Sequence, residues 1–146
     1  MEQAPGSSLK LVGGDLNAEF GTDRDREWED VLGLHGMPRR STSRKEWLEW
    51  CRQGKYLDAG SQFAQGERGT WWHPRSDTAH TLDHLFLDQA DRWHLVSCKV
   101  IHAGRQRTHA QVNDLWNCGL YTDHHPVVAT LRQGKLWAPQ EQRSPP

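Results

Sequence analysis

The chain has 146 residues, with 18 Lys and Arg against 19 Asp and Glu and a formal net charge of −1, which fits one domain of ordinary size. No run approaches the roughly 18 apolar residues of a membrane-spanning helix, and Met1 to Ser8 lacks the apolar centre of a secretory leader, so an intracellular protein (nucleus or cytoplasm) without membrane contact is expected. Cys51, Cys98 and Cys118 are odd in number and far apart, which argues against a disulfide framework.

In chain order, residues 1–8 are expected to be disordered, 9–134 to form the domain and 135–146, rich in Pro and Gln, to be a disordered tail. Leu, Ile, Val and Phe are scarce, but low net charge and eight tryptophans favour a folded, thinly cored domain. Leu9 to Val12 predicts a strand ending at Gly13-Gly14. Asp15 to Asp30 follows as an acidic loop, seven acids against two arginines, with one helical turn near Trp28 to Leu32. Met37 to Arg68 reverses the sign, seven basic residues against four acids, so one neutral chain offers both a cation site and an anion-binding surface.

The clearest helix runs from a Ser43 cap, completed by Glu46 as a capping box, through Gln53 to a stop at Gly54, with Trp47, Trp50 and Cys51 on one face. Lys55 to Asp58, Gly69 to His73, Thr81 to Leu87, Trp93 to His102 and Val127 to Leu131 predict short strands, with turns at Gly66 to Gly69 and Pro74 to Ala79. Gly104 to Gly119 is polar and without clear pattern. One main helix among strands predicts an α/β (α+β) fold with one mixed or antiparallel sheet.

Three clusters place acids, an amide and histidines at strand ends: Gly14-Asp15-Leu16-Asn17, Leu82-Asp83-His84 and Thr122-Asp123-His124-His125-Pro126. Carboxylates there suit Mg²⁺ (or Mn²⁺), which prefers oxygen ligands. A histidine beside them exchanges a proton or steadies a phosphate oxyanion, and a second carboxylate fixes its orientation. Together they suit metal-assisted hydrolysis of a phosphate ester. Taken singly, each also reads blandly: an Asx turn, a satisfied structural acid, a solvated loop.

These motifs resemble the endonuclease/exonuclease/phosphatase superfamily, nearest to the abasic endonucleases and LINE-type retrotransposon endonucleases. Gly14-Asp15-Leu16-Asn17-Ala18 resembles its GDFNA motif, Gly69-Thr70-Trp71-Trp72 its aromatic strand, Leu82-Asp83-His84-Leu85-Phe86 its (I/L)DY(I/F) strand and Thr122 to Val127 its SDHxPV end. The resemblance implies a catalytic set of Asp15, Asn17, Asp83 and His124. Asp15 orients or deprotonates the attacking water, Asn17 holds the water or phosphate, His124 contacts the phosphate and Asp83 orients His124. Asp15 and Asp123 would hold the metal. Trp71 and Trp72 would stack on bases or pack the core, and Arg39, Arg40, Arg44 and Arg68 would meet a DNA backbone.

The family fold is a four-layered β-sandwich flanked by helices, and this chain matches its C-terminal half. Only 14 residues precede Asp15, so the family's N-terminal Asn, Glu and Tyr have no counterpart here. Thr122 stands for the usual Ser and His84 for the usual Tyr. The chain alone is therefore expected to cut DNA weakly or not at all, with an exposed sheet face open to a complementary half-domain or a second copy. The alternative is a non-catalytic interaction or scaffold domain. Two further readings are a zinc site, from Cys98 with His102 and Cys118 with His124 or His125, and a DHH-type phosphoesterase.

Overall fold

In the computed structural model, residues 8–24, 26–66, 68–102 and 123–132 are described. The expectations for 1–7, for Gly104 to Gly119 and for the tail, together with Cys118 and Thr122, lie outside them. The described residues form an α+β fold. In order come β1 (Leu11–Asp15), α1 (Arg44–Gly54), β2 (Tyr56–Asp58), a 3₁₀ turn (Gly60–Gln62), β3 (Trp71–His73), β4 (Thr78–His80), β5 (Asp83–Asp88), a second 3₁₀ helix (Gln89–His94), β6 (Leu95–Val100) and β7 (Val127–Leu131).

The single sheet expected from the sequence is replaced by three small antiparallel ones, ordered β1-β5-β2, β3-β4 and β6-β7. β5 is the central strand. It pairs Leu87 with both Leu11 and Leu57, and Asp83 with Asp15. Gly13 lies opposite Leu85, where a Cβ would stand 2.4 Å from the end of the Leu85 side chain, so a larger residue there would push that side chain aside. His84 and Phe86 point from β5 into a core of Ala18, Phe20, Trp28, Val31, Leu32, Leu48 and Cys51. Large aromatic area compensates for the scarcity of aliphatic residues.

The expected turn at Trp28 to Leu32 is present. The amides of Val31 and Leu32 both donate to the Trp28 carbonyl, and the Asp23 carboxylate accepts from the Trp28 amide at 2.9 Å. Arg52 clamps this turn to α1, with paired hydrogen bonds to Asp30 at 2.7 and 2.8 Å and its guanidinium 4.1 Å above the Trp28 ring.

The helix starts after Ser43, as expected, but the capping box is not formed. Ser43 has helical backbone angles and its hydroxyl makes no capping bond, because the chain already turns at Ser41, whose carbonyl accepts from the Arg44 amide. At the other end Lys55, at φ 56°, takes the left-handed position. Gly54 instead makes room for the Tyr56 ring, which would lie 2.6 Å from a Cβ there. Leu48 and Cys51 are the core residues of α1; Trp50 is 41% exposed and stacks on Tyr56. The strand expected from Trp93 begins only at Leu95, because Asp88 caps a 3₁₀ helix by accepting from the Ala90 amide. β4 arises within the expected Pro74 to Ala79 turn, where Asp77 adopts φ 49° and its amide donates to His73. No helix among the described residues is long and apolar enough to cross a membrane.

Candidate metal and proton-transfer site

Asp15 ends β1 and Asp83 begins β5, and antiparallel register makes them Cα partners. Like charges directly opposite each other destabilise a sheet. His124 relieves the conflict. It precedes β7 and reaches the sheet rim through an antiparallel bridge to Trp71 and a bond from the His125 amide to the Thr70 carbonyl. Its Nδ1 lies 2.7 Å from Asp83 Oδ2, while Nε2 lies 3.9 Å from both Asp15 Oδ2 and Asp123 Oδ1. Ligand atoms of Asp15, Asp83 and His124 fall within 4.8 Å of one another. An open groove of about 290 Å³ adjoins it, lined by Asp83 and His124 together with Gly14, Leu85, His125 and Pro126.

Burial is the largest influence on the His124 imidazolium and opposes it. The Asp83 hydrogen bond, with the charges of Asp83, Asp123 and Asp15, outweighs burial and raises the pKa above its ordinary value. Because a carboxylate only accepts, Nδ1 is the protonated nitrogen facing Asp83, which leaves Nε2 directed at the open side.

An N–H donor holds one oxygen of Asp15 and one of Asp123. Asp15 Oδ1 accepts from the Asn17 amide at 2.9 Å, an Asx turn that leaves Oδ2 facing His124. Asn17 itself adopts φ 48°, a conformation asparagine tolerates. The expected Asx turn is thus present at Asp15, and it leaves the second carboxylate oxygen facing His124. Asp123 Oδ2 accepts from Trp71 Nε1 at 2.9 Å. The buried Thr70 hydroxyl accepts from the amides of Leu82 and Asp83 at 2.9 and 3.2 Å, fixing the start of β5.

The sequence-predicted residues divide accordingly. Asp15, Asp83 and His124 converge with Asp123 beside them, while Asn17 joins through its backbone. Trp71 is bonded to Asp123, and Trp72 meets the rings of His102 and His125 edge-on. Arg39 and Arg40 are exposed, though Arg39 also lies 2.9 Å from the His80 ring and Arg40 donates to the Thr22 carbonyl. Arg44 donates to the Phe20 carbonyl, and Arg68 is half-buried with its guanidinium on the carbonyls of Gly60 and Phe63.

Sequence reasoning missed a buried pair behind the site. His84 Nδ1 lies 3.1 Å from Asp58 Oδ1 and Nε2 2.9 Å from the Ala18 carbonyl, with Phe20 stacked on the ring at 4.1 Å. Both partners only accept, so both ring nitrogens donate and the ring is an imidazolium. Burial works against that charge, but Asp58, Ala18 and Asp83 together raise the pKa. The signal in the sequence was an acid, Asp58, closing an apolar strand.

The donor set fits a hard divalent cation. Asp15 and Asp123 each turn one carboxylate oxygen toward His124 Nε2 at 3.9 Å, and their side chains are 51% and 59% exposed, leaving room for retained waters. The set does not favour zinc at Cys98, which is buried, with its thiol pushed up to about 12 by burial and then by Asp58. Among the described residues, Asp15, Asp83 and His124 form the one candidate metal-holding group. No family model, no curated protein and no solved structure matches this chain.

Proposed function

We propose that this site is the catalytic half of a metal-assisted phosphodiester hydrolase, and more narrowly of a nucleic-acid endonuclease of the endonuclease/exonuclease/phosphatase type. The observation that carries the reading is the convergence of Asp15, Asp83 and His124, 68 and 41 residues apart in sequence steps, on one sheet rim with Asp123 beside them. Four motifs in the family's chain order support it.

In this reading His124, held and charged by Asp83, donates from Nε2 to a non-bridging phosphate oxygen and stabilises charge as it develops there. Asp15 takes the proton of the attacking water, whose oxygen forms the new P–O bond as the bond to the leaving oxygen breaks; solvent protonates the latter. Asn17, next to Asp15, holds the water or the phosphate. Mg²⁺ or Mn²⁺, when bound by Asp15 and Asp123, supplies Lewis-acid stabilisation of the phosphoryl oxygens. The cluster offers few anionic ligands, so we propose weak metal affinity and slow turnover. The β1-β5-β2 sheet is read as one layer of the family sandwich. Exposed Leu9 and Leu11 mark where a complementary half-domain or second copy would cover it.

Hydrolysis of bis-p-nitrophenyl phosphate, the p-nitrophenyl monoester and duplex DNA with Mg²⁺ tests this. Diester and DNA cleavage that requires Asp83 and His124, with little monoester hydrolysis, is expected. A preference for the monoester, or no dependence on these residues, overturns it.

A further inference from the structure

Asp15 and Asp123 are treated alike. Each has one oxygen tied by an N–H donor, from the Asn17 backbone or from the Trp71 indole, both at 2.9 Å. Each has its other oxygen 3.9 Å from the same atom, His124 Nε2. For Asp15 the restraint is local, two residues along the chain. For Asp123 it comes from a side chain 52 positions away. An aspartate that is 59% exposed otherwise samples several rotamers.

Trp71 is well placed to impose order. Its backbone is bridged to His124, its ring is half-buried, and the His73 and His80 rings sit against it with centroids at 5.6 Å. An indole N–H donates and never accepts, so the contact fixes which Asp123 oxygen faces Trp71. A phenyl ring would pack in the same place and supply no donor.

We propose that Trp71 is a positioning residue. Its indole N–H turns Asp123 so that its other oxygen faces the Asp15–Asp83–His124 group, beside which it would help to hold a divalent cation. This inference rests on the metal-assisted reading of the site. Partners that orient a metal ligand commonly change metal affinity by 10–100-fold when removed.

The test is Mn²⁺ binding by electron paramagnetic resonance to the full chain, compared across wild type, Trp71→Phe, Asp123→Ala, Asp15→Ala and the Trp71→Phe/Asp123→Ala double variant. We expect Trp71→Phe to bind about 10-fold more weakly, and the double variant no more weakly than Asp123→Ala alone. In wild type, the Trp71 indole N–H resonance is expected to shift on adding Mg²⁺, and to lose that response in Asp123→Ala; this readout stands even if Trp71→Phe fails to fold. Wild-type-like Mn²⁺ affinity in Trp71→Phe, losses that simply add in the double variant, or an indole resonance indifferent to Asp123 would each overturn the inference alone. Absence of Asp15-dependent Mn²⁺ binding in the wild-type chain would refute it together with the metal reading.

Discussion

Asp15 and Asp83 stand directly opposite each other across β1 and β5, and the His124 ring spans them, 2.7 Å from one and 3.9 Å from the other. A sheet built only for stability has no use for two facing carboxylates; a site for charge chemistry does. Asp15→Asn is therefore expected to leave the melting temperature unchanged or slightly raised, by about 0.5 kcal/mol of relieved repulsion, while removing cleavage. Thermal denaturation beside an activity assay checks this. Loss of folding in Asp15→Asn would mean that the residue is structural.

The His84–Asp58 pair gives stability a pH dependence. His84 is raised in the folded state, so its charged form stabilises fully below the ordinary value of 6.5, and the contribution is lost as pH rises through the higher folded value. Chemical denaturation at intervals upward from pH 6.5 should show stability falling. His84→Gln should be less stable at pH 6 and show a shallower decline, the remainder belonging to His124, which shifts the same way. An unchanged slope in His84→Gln would contradict the imidazolium assignment.

Within α1 the buried face is set by Leu48 and Cys51, with Trp50 at the margin. Leu48→Ala should cost about 3 kcal/mol through lost burial and the cavity left behind. Trp50→Ala, which removes a half-exposed ring stacked on Tyr56, should cost only about 1 kcal/mol. Equilibrium unfolding of the two variants tests the order, and a reversed ranking would restore the tryptophan face read from spacing alone.

Arg52→Lys keeps the charge but loses the paired geometry on Asp30 and the stack on Trp28. Both groups of the ion pair are more than a third exposed, so solvent screening limits the expected loss to about 1 kcal/mol. The loss should shrink in high salt, which a denaturation series in NaCl would show.

The site was legible because its parts are local. Gly14-Asp15, Leu82-Asp83 and Asp123-His124 each sit against a short apolar strand, so pattern and chemistry coincide within a few residues. What lay hidden depends on side chains meeting across long sequence separations. Nothing near Trp71 signals that its N–H will find Asp123, or that the Thr70 hydroxyl will take two amides of the segment Leu82-Asp83. Element ends were misread for a related reason. Gly54 and Trp93 follow helix and strand statistics, whereas the Tyr56 ring and the Asp88 cap decide where the elements stop. Aliphatic scarcity hid the division into three small sheets, since short strands carry too few residues to show which partner each will take.

The most direct test of the account is plasmid nicking with protein in excess over DNA and Mg²⁺ present, comparing the wild-type chain with His124→Ala. The account predicts slow, metal-dependent nicking by wild type and a rate at least about 100-fold lower for His124→Ala. Equal rates for the two proteins would contradict it.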